Sequence, residues 1–179
     1  RGTEIAYALY VLARNRKASV GDLRYYADTR LDEFTSPMAR AQIAASLALY
    51  GDNERADRAF ASALRKAEAD TQVDFGRSDY GSALRDGAAM LALAAESRPE
   101  PAFVPEMVDF VTERSRDPRT LSTQEEAWML LAARALRDAD SPIKLEIDGV
   151  PHGGNFARHA TGEEIEASPV AIVNRGSGP

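Results

Sequence analysis

The chain has 179 residues, 44% hydrophobic and 28% charged, with a formal net charge of -6 and a pI near 5.0. That length suits one domain, or one domain with part of another, and can bury a core. Basic residues alternate with acidic ones, as in Asp52-Asn-Glu-Arg-Ala-Asp-Arg58. This excludes the clustered positive charge that nucleic acid or anionic lipid requires. No apolar run approaches the ~18 residues of a membrane span. Cysteine is absent, so this segment holds no disulfide, thiolate metal site or cysteine nucleophile.

The chain opens at Arg1 without a signal-like apolar segment, so an excised fragment or a processed chain is expected. Residues 3 to 16 place Ile5, Leu9 and Leu12 on one stripe, widened by Tyr10 and Ala13, which predicts a core-facing helix. Lys17 to Gly21 breaks it, and Asp22 is expected to cap a short helix through Tyr26. Ser36 as N-cap with Pro37 at the first helical position starts a helix running to about Tyr50, because proline lacks only an N–H that is unpaired there anyway. Gly51 stops it. Asp52 is expected to cap the next helix across a short turn, making the two antiparallel neighbours. From Glu54 to Ala69 the stripe of Ala56, Phe60, Ala63, Leu64 and Ala67 describes an amphipathic outer helix.

After the polar stretch from Asp70 to Ser78, Asp79 with Ser82 opens an alanine-rich helix to about Glu96. Arg98-Pro-Glu-Pro101 ends that hairpin, and Pro105 starts a helix carrying Met107, Val108, Phe110 and Val111. Ser122 and Glu125 then match the capping box, in which the hydroxyl and the carboxylate each bond the other residue's backbone N–H. The three alanine-rich helices open at Ser36, Asp79 and Ser122, a spacing of 43 residues that fits stacked helical hairpins with these three as a buried inner layer. Beyond Pro142 the texture changes. Ile143 to Asp148 and Val170 to Asn174 read as strands, while Pro151 to Asn155 and Thr161 to Ile165 read as turns. The expected fold class is therefore mainly α, in antiparallel helix pairs over residues 1–140, followed by the start of a β-rich module at 141–179 that continues further.

Candidates for chemistry are sparse. His152 and His159, with Glu163 and Glu164 nearby, lack the three or four converging ligands of a zinc site and read as loop residues. Gly149 to Gly154 does not have the glycine order of a phosphate cradle. Asp79, Arg85 and Asp86 form a compact acidic and basic group; acid–base work is conceivable, but a helix cap with an Arg–Asp pair holding adjacent helices fits better. Tyr25, Tyr26, Tyr80 and Trp128 suit packing with satisfied polar tips better than a ligand groove. The expectation is no catalytic, cofactor-binding or metal-binding residue, no cofactor and no enzyme activity.

Three strings, Tyr7-Ala-Leu-Tyr-Val-Leu-Ala-Arg14, Asp79-Tyr-Gly-Ser-Ala-Leu-Arg-Asp86 and Ser122-Thr-Gln-Glu-Glu-Ala-Trp128, resemble the later helices of the thioester domain in bacterial α2-macroglobulins. The resemblance covers residues 1–140 and implies part of an α/α toroid set among β-sandwich macroglobulin modules. It implies a large periplasmic endopeptidase inhibitor, anchored to the inner membrane through a lipid elsewhere in the parent. Such a parent traps proteases after a bait segment is cut, and its partners would be those proteases and its own β-modules. The family's thioester string, Cys-Leu-Glu-Gln, has no counterpart in this cysteine-free chain, so no thioester residue is carried over. Two other readings stay open from the sequence: a helical-repeat module that grips a peptide or protein on a concave face, and an α/α-toroid enzyme such as a terpene cyclase, prenyltransferase subunit or glycosidase. The toroid enzyme would need an acidic or zinc-binding cluster that does not appear.

Overall fold

The computed structural model describes residues 2–70, 81–97, 100–116, 120–138, 144–153 and 170–175. Packing divides the chain into two units, Arg1–Ala139 and Asp140–Pro179. Seven α-helices are described in the first, and a three-stranded antiparallel sheet in the second.

Helix α1 (Gly2–Arg14) is apolar on two sides. Ala6 and Ala13 are buried, with Leu9 and Tyr10 half-buried, while Ile5, Tyr7, Val11 and Leu12 are exposed. The expected inward stripe of Ile5 and Leu12 is thus turned out. A helix with two apolar stripes gives periodicity no way to choose between them, and here the alanine side joins Ile43 and Leu47 in the core. Helix α2 (Val20–Thr29) is capped by Ser19, whose Oγ accepts the Asp22 N–H at 3.3 Å. Asp22, expected as the cap, lies in the first turn, where its charge suits the positive end of the helix dipole. A 3₁₀ turn (Leu31–Glu33) leads through buried Phe34 to α3 (Pro37–Leu49), where Ser36 Oγ accepts the Ala39 N–H at 3.1 Å. This start is as the sequence predicts.

Gly51 takes φ +77°, a left-handed backbone that favours glycine, and the chain reverses into α4 (Asn53–Ala69). Ala56, Phe60, Ala63 and Ala67 of α4 are buried and Leu64 partly so, which is the predicted stripe. Helix α5 (Ala83–Ala95) starts at Ser82, whose Oγ accepts the Arg85 N–H at 3.0 Å; Asp79 lies outside the described residues. Helix α6 (Val104–Ser115) has Pro105 in its first turn and buries Met107 and Val111. Helix α7 (Thr123–Asp138) follows the capping box at Ser122.

In this unit α1, α3, α5 and α7 are successive neighbours, with α4 against α3 and α6 against α5. Helices α3 and α5 are enclosed on nearly all sides: Ala39 to Leu47 and Leu84 to Ala95 are buried without interruption. Alanine at Ala41, Ala44, Ala88 and Ala92 keeps the surfaces shallow enough for neighbours on every side. Helix α7 is an inner helix only in part. Ala132 and Ala135 are buried, but Leu130 is 72% exposed and Leu131 is exposed beside it. Its alanine content does not distinguish a helix covered on one side from one covered on all.

In the second unit β1 (Lys144–Ile147) is the central strand, paired with β2 (Val150–Gly153) and β3 (Ile172–Asn174), both antiparallel. Asp148 and Gly149 both have positive φ, 50° and 81°, as a two-residue primed hairpin turn requires. Pro151 to Gly153, read from sequence as a turn, is strand instead; Pro151 sits on an edge strand, where its missing N–H removes no central ladder bond. Asp148 holds the start of β3, donating its N–H to the Ala171 carbonyl and accepting the Ala171 N–H at Oδ1, each at 2.9 Å. The predicted turn at Thr161 to Ile165 lies outside the described residues.

Two glycines should respond to substitution for different reasons. A Cβ on Gly87 would stand 2.7 Å from the Phe110 ring and 3.4 Å from Val111, so Gly87→Ala must push α6 from α5. We expect a loss of about 1–3 kcal/mol in urea unfolding. Gly51 has open space around its missing Cβ, so Gly51→Ala should cost only the left-handed backbone penalty, about 1–2 kcal/mol. Restoring Gly87→Ala with Phe110→Leu, but not Gly51→Ala, would confirm the distinction.

Candidate functional site

The densest buried polar group joins the N-termini of α5 and α7. Ser82 Oγ, already the cap of α5, donates to Glu125 Oε1 at 2.6 Å, and Glu125 Oε2 accepts the Ser122 N–H at 2.7 Å. Ser122 Oγ in turn accepts the Glu125 N–H at 3.3 Å. Glu125 is 1% exposed and Ser82 8%, so one carboxylate serves its own capping box and the neighbouring helix away from water. Buried charges survive when their lone pairs are filled in this way. Beside it Arg85 donates from Nε and Nη2 to Asp86 Oδ1, at 2.9 and 2.6 Å, and from Nη1 to Gln124 Oε1 at 3.1 Å. The Arg85–Asp86 pair lies within α5; the tie to the adjacent helix runs through Gln124 and Glu125. Every group in this junction has a partner within the protein, which is the chemistry of a fastener.

A second cluster binds the early helices. Arg40, buried on α3, donates from Nε to the Phe34 carbonyl at 2.9 Å and from Nη1 to Ser62 Oγ of α4 at 2.8 Å, with Asp32 Oδ1 3.3 Å from Nη2. Burial lowers the Arg40 pKa, and Asp32 opposes that shift. Gln42, also buried on α3, leaves Oε1 without a hydrogen-bond partner among the described residues, a local cost of about 1–3 kcal/mol. Asp52 does not cap α4 as the sequence suggested. Its carboxylate accepts from Arg24 Nε at 2.7 Å and lies 3.3 Å from Arg55 Nη1, so arginines outcompete the backbone N–H groups. The hydrogen bond from Arg24 holds the Asp52 pKa below the usual aspartate value, helped by the Arg55 charge and opposed by desolvation.

At the opposite end of the inner helices, where α1, α3 and α5 terminate, lies a half-open cavity of about 310 Å³. Ala45, Ala48, Leu49 and Leu93 give it an apolar floor. Arg14 stands on its rim, donating from Nη1 to Glu96 Oε2 at 3.0 Å and to the Tyr10 hydroxyl at 3.1 Å. Burial raises the Tyr10 pKa despite the adjacent guanidinium, so the phenol is neutral at ordinary pH. Arg16, in the left-handed region at φ 58°, donates from Nη1 to the Leu49 carbonyl at 2.5 Å and stacks over the Tyr50 ring at 5.8 Å. Sequence reading missed this cavity, because its residues are drawn from three helix ends.

Of the other residues considered from sequence, those described do not assemble. Tyr25, expected to be buried, is 50% exposed and stacks edge-on to Tyr26, with centroids 5.5 Å apart; Tyr26 also meets Phe34. Trp128 packs against the main core. His152 sits on β2, paired with Leu145, while Asp79, Tyr80, His159, Glu163 and Glu164 lie outside the described residues. Among the described residues no three histidine or carboxylate side chains converge as metal ligands, and no helix is long and apolar enough to cross a membrane.

Stacked antiparallel helix pairs fastened at their caps, followed by a small antiparallel sheet, define a segment of helical scaffold. No family model matches the chain. It is 37% identical over 134 residues to the alpha-2-macroglobulin of Escherichia coli K12, a match covering 74% of this chain, and 33% identical over 136 residues to that of Xylella fastidiosa, covering 73%. It spans 8% of the length of each of these relatives. Among solved structures, Salmonella alpha-2-macroglobulin reacted with methylamine superposes with a TM-score of 0.65 at 31% identity, over 86% of this chain and 10% of that one. The native conformation of the E. coli protein gives 0.66 at 28%, over 97% and 10%, and the form activated by porcine elastase 0.63 at 29%, over 94% and 14%. The chain belongs to the bacterial alpha-2-macroglobulin family, as a segment of it.

Two measurements test the site as described. A double-mutant cycle of Ser82→Ala and Glu125→Gln, followed by urea unfolding, should return a coupling of about 1–3 kcal/mol, as expected for a buried hydrogen bond to a charged group; additive losses would mean that the two caps act separately. Asp52 supplies a pH dependence. Because its folded pKa is depressed, its contribution is present above the ordinary aspartate pKa and disappears as pH falls through the lower folded value. Asp52→Asn should remove that portion of the acid destabilisation, measured as stability between about pH 6 and pH 2.

Proposed function

We propose that this chain is a scaffold segment of a broad-spectrum endopeptidase inhibitor that entraps proteases, and is not itself an enzyme. The observation that carries the reading is the joint match in sequence and fold to alpha-2-macroglobulins over most of the chain, one of them in a state activated by porcine elastase. In that setting the helix pairs are part of an α/α toroid and residues 141–179 begin a macroglobulin-like β-module. The contribution of this segment is stiffness. The enclosed helices α3 and α5 and the shared cap at Glu125 hold a wall in one geometry. A relative reacted with methylamine supports an amine-reactive acyl group in such proteins; this cysteine-free chain would shelter that group and would not supply it. We propose a periplasmic parent with its inner-membrane anchor, where it has one, outside this segment.

Titrating elastase with the intact protein tests the proposal. Cleavage of a large protein substrate should fall as the inhibitor approaches stoichiometry, while a small peptide anilide continues to be cut, because entrapment restricts access and leaves the protease active site intact. Undiminished cleavage of both substrates would remove the protease-trap reading. In a parent that bears a thioester, Gly87→Ala should shorten its lifetime, read as thiol released in buffer; an unchanged lifetime would separate this wall from thioester protection. Recovery of the protein by osmotic shock, or with inner membranes, checks the compartment.

A further inference from the structure

The cavity where α1, α3 and α5 end is rimmed by the ties from Arg14 to Glu96 and from Arg16 to the Leu49 carbonyl, and the rest of its lining has the chemistry of a ligand site. About 310 Å³ lies at the lower end of the range for small-molecule sites, enough for one small apolar body. Its floor is aliphatic, from Leu49, Leu93 and neighbouring alanines. Its polar edge carries Arg14 and Arg16 against Glu96, an excess of one positive charge. Arg14 makes both its bonds to Tyr10 and Glu96 through Nη1 and its side chain is 53% exposed; Arg16 spends Nη1 on the Leu49 carbonyl. A guanidinium offers five donors in a planar fork, so each arginine retains donors suited to a carboxylate. The helix carbonyl ends would otherwise repel an anion, and Arg16 covers that of α3.

We propose that this cavity binds an α-carboxylate carried on a small aliphatic side chain, the carboxylate received by Arg16 and Arg14 and the side chain resting on Leu49 and Leu93. Arg16, at φ 58°, is the left-handed residue that closes α1, its N–H bonding the Ala13 carbonyl at 2.9 Å and the Lys17 N–H the Leu12 carbonyl at 2.8 Å, and this helix end fixes where its side chain meets Leu49. A free amino acid or the last residue of a peptide would present the same group. The inference does not depend on protease trapping.

Calorimetric titration of the intact protein decides it, with N-acetyl-leucine, leucine and N-acetyl-leucinamide as probes. N-acetyl-leucine should bind saturably, and the amide, which has lost only the charge, should bind about tenfold more weakly or worse. Tighter binding of leucine than of its acetyl derivative would identify a free amino acid as the source, the reverse a peptide end; each supports the site. Ala48→Leu, which fills the floor and leaves both arginines, should abolish binding, and Arg16→Gln should weaken it about tenfold or more. Thermal unfolding of each variant would verify that the helices remain folded. Absence of saturable heat from N-acetyl-leucine at millimolar concentration, equal binding of acid and amide, or full binding by folded Ala48→Leu would each overturn the proposal.

Discussion

Two adjacent helices with almost no solvent face impose most of the other features of this molecule. An enclosed helix must meet neighbours on every side at close range, so α3 and α5 are built largely from alanine, with Ile43, Leu47, Met90 and Leu93 placed between. The outer helices then supply the bulk. Phe60 of α4 and Met107 of α6 fill the space the alanines leave, and Phe110 comes so near α5 that position 87 has no room for a methyl group. Polar side chains on the enclosed helices are confined to places where a partner exists. Arg40 reaches the Phe34 carbonyl and Ser62, Arg85 reaches Asp86 and Gln124, and Gln42, with one atom unpartnered among the described residues, is the exception.

Helix starts were legible because they depend on a few atoms close in sequence. Ser36 with Pro37, and Ser122 with Glu125, are satisfied locally, and the structure has them as read. Where a cap competes with distant groups, local reading misassigns it. Asp52 stands at the correct position for a cap, but Arg24, 28 residues away, takes its carboxylate. Burial was less legible than helix position. The exposure of Ile5 and Leu12 on α1, and of Leu130 on α7, depends on which neighbours are present, and hydrophobic periodicity carries no such information. The strand at Pro151 to Gly153 looked like a turn because proline and glycine signal one; pairing with β1 overrides that local signal on an edge strand.

The family was legible from short strings because those strings coincide with structural necessities. Ser122-Thr-Gln-Glu125 supplies the capping box, the reach to Ser82 and the Gln124 contact with Arg85, so three of its four residues are used in one junction. The candidate binding cavity was invisible for the opposite reason. Tyr10, Arg14 and Arg16 at one helix end, Leu49 at a second and Glu96 at a third form no motif in one dimension.

The shared carboxylate also couples the starts of two helices. Ser82 and Glu125 are 43 residues apart, one full repeat, and each caps its own helix while bonding to the other. Without Ser82, α5 would lose its own cap and the tie while the box at Ser122 remained; without Glu125, α7 would lose the carboxylate of its box and the tie while Ser82 still capped α5. Loosening at either helix start is therefore felt at the other, so α5 and α7 open as one unit and not singly.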